Sequence, residues 1–414
     1  MALRLLFEDN MYNIHYLKNG IRLVFEKMPY LQSVSIGVFV KSGSMYETKE
    51  ENGISHFIEH MLFKGTTSRS AKKIAEEMDY AGGHINAYTS RECTCYYTRV
   101  LAEDVELSVD ILSDMYYNSL FDNNDIELER GVIIEEINMY EDSPEDVALD
   151  TVAELMWKGS SLGYTVAGTQ ESVGGITRDM LLDYMKRRYT PQNTVISVAG
   201  CFDEEKLIEL FEKYFSSPAP EKDFVLTMPE FISGQWERTK DIEQTHLSIA
   251  YPAFDMFSDK LYSLSLLNNI FGGSMSSRLF QKVREENGLC YSIYSYTAAF
   301  PLTGMLGIYA GLSSDMLDFA AEMIDNEINR ICTQKVSDYE LEKARSQAKC
   351  SIIMGRESVS SRMAENGKSL LLLDRVRDGE EILSGFSRVT PDAILSTANE
   401  IFRSGKKAVF TLKN

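Results

Sequence analysis

The chain has 414 residues, and its 42 Lys and Arg against 62 Asp and Glu leave a formal net charge of −20. That acid excess excludes a nucleic-acid binder, which needs clustered cations to neutralise phosphates, and directs attention to neutral or basic partners. With 44% hydrophobic residues the chain can fill packed cores, its length corresponds to two or three domains, and no run of about 18 apolar residues would span a membrane.

In chain order, the N-terminal apolar run Met1–Phe7 is cut by Glu8 and Asp9 before it reaches the length of a signal-peptide core. No Arg-rich transit segment stands there either, so a bacterial cytoplasm is the expected location. The alternating run Ser33–Val40 reads as a strand, as does Thr194–Gly200, while Ser70–Tyr80, Asp104–Asn118 and Asp125–Tyr140 carry helical spacing. The stretch from Phe215 to Lys222, with Ser216, Ser217, Pro218 and Pro220, has the composition of a boundary, which Met228-Pro229 extends. The six cysteines, Cys93, Cys95, Cys201, Cys290, Cys332 and Cys350, make no disulfide framework, and Cys93-x-Cys95 has no second pair to close a zinc site; they are expected to be reduced.

The second half repeats the first. A strand leading to a helix that ends Met61-Leu62-Phe63-Lys64-Gly65 is matched by strand Thr245–Tyr251 leading to a helix that ends Ile270-Phe271-Gly272-Gly273. The segment from Glu76 to Thr89 is matched by the one from Arg284 to Tyr294, and Asp125–Arg130 by Asp338–Lys343. Three matches in one order imply two α+β domains of common ancestry. Each is expected to be an antiparallel sheet with helices packed on one face. The boundary composition places the domains at 1–216 and 237–414, with a linker at 217–236.

The sharpest motif is His56-Phe57-Ile58-Glu59-His60, in a helical segment opened by Gly53 and closed by Gly65. His56 and His60 at i and i+4 share a face, with Glu59 at i+3 beside them. Neutral imidazoles suit Zn²⁺, and an adjacent carboxylate that is not a ligand can take a proton from water, the requirement of metal-assisted hydrolysis. This H-x-x-E-H order is the inverted form of the common zinc-peptidase motif. His15, His84 and His246 stand alone and read as packed or surface imidazoles. A third ligand is needed, and the acidic helix around 125–142 is the candidate source. Glu129, Val132, Ile133, Glu136 and Tyr140 fall on one of its faces, and Glu135 lies about 100° round from Glu136. Leu264, Leu267, Asn268 and Lys349, at the repeat-equivalent positions of the second half, cannot rebuild such a site, so one zinc ion per chain is expected.

With these motifs the sequence resembles the M16 zinc peptidases, the inverzincin or pitrilysin-like family, over nearly its whole length, and within it the group built from half-length chains. The resemblance implies a zinc endopeptidase in which His56, His60 and Glu136 hold the metal, Glu59 is the general base, and Glu129 is an accessory catalytic residue. It implies that Gly82-Gly83-His84-Ile85-Asn86-Ala87-Tyr88-Thr89 is an edge strand to which an extended peptide adds, Asn86 holding it by the side chain and Ala87 by the main chain. It further implies that Arg284 and Tyr291 contact the substrate near the scissile bond. Family members enclose a chamber with four such domains, so this chain is expected to form one half of the clamshell. Pairing with itself would complete it, a related partner chain being the other option, and the expected substrates are unfolded peptides of modest length, basic ones favoured. Two alternatives share the fold or the site: a noncatalytic structural or chaperone-like subunit, and a zinc hydrolase of non-peptide amides.

Overall fold

Burial on both faces of one strand organises the first half. Strand β3 (Ser33–Val40) is buried along all but its first residue, in the middle of a six-stranded sheet. The other strands are β1 (Tyr12–Tyr16), β2 (Arg22–Lys27), β4 (His84–Thr89), β5 (Thr94–Leu101) and β6 (Thr194–Gly200), in the order β1-β2-β6-β3-β5-β4. The computed structural model describes residues 12–216 and 226–414. The N-terminal apolar run and residues 217–225 of the expected linker lie outside them.

On one face of this sheet the even-numbered side chains Val34, Ile36, Val38 and Val40 enter a core. Helices α1 (Ile54–Leu62), α2 (Ala71–Tyr80), α3 (Val105–Asn118) and α4 (Asn123–Glu141) contribute to that core. Four of the five strand pairings are antiparallel, as expected, but β2 and β6 pair in parallel, so the sheet is mixed.

The second sheet has the order β7-β11-β8-β10-β9, from β7 (Gly234–Thr239), β8 (Thr245–Ala253), β9 (Cys290–Ala299), β10 (Gly304–Leu312) and β11 (Ala408–Lys413). Its pairings reproduce those of β2-β6-β3-β5-β4: one parallel pair, β7 with β11, followed by antiparallel pairs. The internal repeat is therefore a repeat of topology. All six cysteines are free, and no helix among the described residues is long and apolar enough to cross a membrane.

The compact units are not the contiguous stretches 1–216 and 237–414. Of the described residues, one comprises 12–137, 164–216 and 353–379, and the other 138–163, 226–352 and 380–414. Each sheet takes a helix on its second face from the other half of the sequence. In the first unit, Val359–Leu373 packs on β6, β3 and β2; in the second, Pro144–Met156 packs on β8 and β11. The physical reason lies at the odd positions of β3. Ser35 and Gly37 leave room for close approach, and a Cβ at Gly37 would overlap the Met363 sulfur. A buried ion pair fixes that helix: Arg362 Nε and its terminal NH₂ donate to the Glu26 carboxylate at 2.8–3.0 Å, and Asn366 Nδ2 adds a third donor at 2.6 Å. Breaking one side of such a pair strands a buried charge, so the helix has one register.

Candidate metal centre

Helix α1 is amphipathic in the simplest way. Ile54, Phe57, Ile58, Met61 and Leu62 are buried at i, i+3, i+4, i+7 and i+8, which leaves His56, Glu59 and His60 on a different stripe. Its start is unusual. The N-cap is Gly53, with φ of 92° and no side chain to accept the first N–H groups. Glu47, fully buried, takes that part: its carboxylate accepts from Gly53 N at 2.8 Å, Ser55 N at 2.9 Å and Asn52 Nδ2 at 3.1 Å. A negative charge at a helix N-terminus is also favoured by the backbone dipoles. Burial nevertheless outweighs these bonds and pushes the Glu47 carboxyl up from its ordinary range.

Helix α4 brings its acids to α1. Ile126, Glu129 and Ile133 are its buried positions, so Glu136, one turn on from Ile133, lies beside the histidines while Glu135 is exposed. Glu136 Oε2 is 3.6 Å from His56 Nε2 and 3.6 Å from His60 Nε2, and one ligand atom from each of the three residues lies within 4.8 Å of the others. A separation of 3.6 Å is too long for a hydrogen bond. It suits ligand atoms around zinc, whose bonds of about 2.0–2.2 Å place tetrahedral donors about 3.3–3.6 Å apart.

The protonation states favour a metal as well. Burial, helped by the neighbouring His60, holds the His56 imidazole down at about 4, so at neutral pH it is uncharged and has a lone pair to give. His60 Nδ1 is 2.9 Å from Glu129 Oε2. With the proton on Nδ1 donated to that carboxylate, Nε2 is left as the donor atom facing Glu136, the arrangement in which an outer carboxylate fixes a ligand's tautomer and angle. Glu129 is buried and its other oxygen pairs with Lys64 Nζ at 2.5 Å. Glu129, expected as an accessory catalytic residue, thus contacts the His60 ring directly. His56 Nδ1, also buried, has no partner of its own. The donor set and its spacing fit zinc.

Glu59 stands apart from the three. Burial raises its carboxyl, against the opposing pull of Thr89 and His60, and Thr89 Oγ1 donates to its Oε2 at 2.5 Å. Strand β4, which ends in Thr89, is an edge strand, paired only with β5. Asn86 is exposed on it, and its Oδ1 accepts from Ala87 N at 2.8 Å, so the two residues expected to hold a peptide are bonded to each other.

In the second unit Arg284 lies on a π-helical turn, Phe280–Glu286. Its guanidinium sits 4.7 Å from the Phe280 ring centre and 5.6 Å from that of Tyr291. The two residues are thus neighbours, with Tyr291 76% exposed on edge strand β9. At the repeat-equivalent positions Leu264 and Leu267 are core residues, and Asn268 Oδ1 accepts from Ser295 Oγ at 2.7 Å. Among the described residues the only cluster fit to hold a metal is the one in the first unit. Sequence reasoning passed over Glu47, Lys64 and Thr89. Lys64 lies just past the end of α1, so helical spacing carried no signal for it.

The family model of insulinase, peptidase family M16, matches residues 22–170, and the model described as the peptidase M16 inactive domain matches residues 175–348. The chain belongs to the insulinase family. Among its M16 relatives is a protein of Bacillus subtilis named "Uncharacterized zinc protease YmxG", 42% identical over 93% of this chain and 94% of that one. Another, from Rickettsia felis, named "Uncharacterized zinc protease", is 38% identical over 95% of each chain. Of solved structures, a protease from Helicobacter pylori shares the fold with a TM-score of 0.91 at 19% identity, over 98% of this chain and 100% of that one.

Proposed function

We propose that this member of the insulinase family is a zinc-dependent endopeptidase of unfolded peptides, with one zinc ion per chain held by His56, His60 and Glu136. The observation that carries the reading is the convergence of these three donors, Glu136 lying 3.6 Å from a nitrogen of each imidazole, with the half-buried Glu59 one residue from His60. Zinc bound there would supply Lewis acidity, making water acidic near neutral pH and polarising a peptide carbonyl. The chain's own residues do the rest. Glu59, its carboxyl raised by burial, takes a proton from the attacking water onto a carboxylate oxygen and later gives it to the leaving amine. Glu129 and Lys64 hold His60 at its angle. The open edge of β4 offers main-chain groups to an extended peptide, with little demand on sequence, once the Asn86 carboxamide swings from Ala87 N to the substrate. Arg284 and Tyr291, neighbours in the second unit, offer substrate a cation and a phenol. No observation favours a noncatalytic subunit, since every donor is present, or a non-peptide amide, which would leave the β4 edge unused.

The test is Glu59→Gln. This variant should keep its zinc and lose at least about a hundredfold in turnover, measured as cleavage of a mixed peptide pool by mass spectrometry. Turnover within a few-fold of wild type, with zinc bound, would reject the assignment. We also propose that two copies of the chain close a chamber, in a bacterial cytoplasm. Sedimentation of the active protein should give twice the chain mass of 46.9 kDa; an active monomer would end that part of the reading.

A further inference from the structure

Thr89 is the only hydrogen-bond partner of Glu59 among the described residues. It is the last residue of edge strand β4, placed opposite Thr94 of β5 by the strand register. Its hydroxyl is 3.2 Å from Thr94 Oγ1, and the buried Thr94 hydroxyl in turn donates to the Ser42 carbonyl at 3.0 Å. The four groups form a ladder: Glu59 carboxyl, Thr89 hydroxyl, Thr94 hydroxyl, Ser42 carbonyl.

A proton count shows what the ladder can do. Each hydroxyl has one proton to donate and lone pairs to accept with. With Glu59 ionised, Thr89 donates to it and Thr94 donates to Ser42, so both protons are used outward and the Thr89–Thr94 contact carries none. With Glu59 carrying the proton taken from water, the carboxylic acid donates to Thr89 Oγ1, the Thr89 hydroxyl turns to Thr94, and Thr94 still donates to Ser42. Every link is then satisfied. Thr89 keeps its own proton throughout and only rotates. A valine of the same shape could do neither, and would leave a half-buried carboxylate without its donor.

We infer that Thr89 is a positioning residue for the general base: a hydroxyl rotor that holds Glu59 at one angle in both forms it takes during turnover. The inference rests on the reading of Glu59 as that base. Because Thr89 also terminates the strand offered to substrate, a peptide that orders β4 would order the base at the same time.

The experiment compares wild type, Thr89→Val, Thr89→Ser, Glu59→Gln and the double variant Glu59→Gln/Thr89→Val on one unfolded peptide that the wild type cleaves, with bound zinc measured for each. Thr89→Val should lose about tenfold to a hundredfold in kcat, with KM within about threefold and zinc unchanged, the scale of a hydrogen bond to a charged catalytic group. Thr89→Ser should recover to within about threefold of wild type, and adding Thr89→Val to Glu59→Gln should lower the residual rate by less than about twofold. Wild-type kcat in Thr89→Val, a failure of serine to rescue, or a full further loss in the double variant would overturn the proposal. Should the valine variant not fold, Thr89→Ala carries the same expectations. Retained turnover in Glu59→Gln would instead count against the base assignment itself.

Discussion

Glu135 and Glu136 are adjacent and chemically identical, and one step of helix rotation separates their circumstances. Glu136 is half-buried beside two imidazoles while Glu135 is exposed. Replacing Glu136 by Gln removes a ligand charge, so that variant should lose zinc under a chelator challenge that leaves Glu135→Gln loaded; equal metal content in the two would refute the ligand choice. Glu129→Gln belongs between them. It leaves the three donors intact but weakens the bond that orients His60, and zinc affinity should fall about 10–100-fold. The same logic separates Glu59 from its neighbours: among the described residues its single hydrogen-bond partner is the Thr89 hydroxyl, which leaves it available for proton transfer.

At the scale of elements, helices α1 and Asp338–Gly355 are both held at their first turn by a carboxylate; burial pushes both carboxyls up, but their net shifts are opposite. Glu340 sits in a capping box with Ser337, accepting from Ser337 N at 2.9 Å while its own N–H donates to Ser337 Oγ at 3.2 Å, and it accepts two bonds from Arg278. Burial alone would raise the carboxyl, but Arg278 and Ser337 together bring it down to about 2. Because the folded value lies below the ordinary 4.5, the group contributes stability that is fully present above about pH 4.5 and lost as pH falls toward 2. Glu340→Gln should therefore destabilise the protein at pH 7, by about 1–2 kcal/mol after allowing for its partial exposure, and the difference from wild type should vanish by about pH 2. A pH-independent difference in denaturant midpoint would contradict this.

The elements also show why part of this protein can be read from its sequence. The His56, Glu59 and His60 stripe, the phase of Glu129 and Glu136, and the order of the repeat follow from spacings within single helices and strands. The parallel pair in each sheet, the bond from Thr89 to Glu59 and the capping of α1 by Glu47 depend on how separate elements pack. The helix Val359–Leu373 was least legible, because its docking site is the small-residue face of β3, more than 300 residues away in sequence.

For the molecule as a whole, the charge of −20 has few members with assigned work. Glu59, Glu129 and Glu136 belong to the proposed site, while Glu26, Glu47 and Glu340 serve the fold. If the remainder attracts substrate, basic peptides should be cleaved faster than acidic ones at low salt, with the preference fading as ionic strength rises. Rates indifferent to peptide charge at low salt would leave the acidity without a part in selection. The exchanged helices carry a consequence for the order of events during synthesis. Strand β6 completes the first sheet at Gly200, but the helix that covers its second face ends at Leu373. At about 5–20 residues per second, the ribosome emits that helix roughly 9 to 35 seconds after the sheet. Throughout that interval the nascent chain displays an uncovered β3 face and an unpaired Glu26, a natural point of engagement for a chaperone and the stage at which a stalled or truncated product would aggregate.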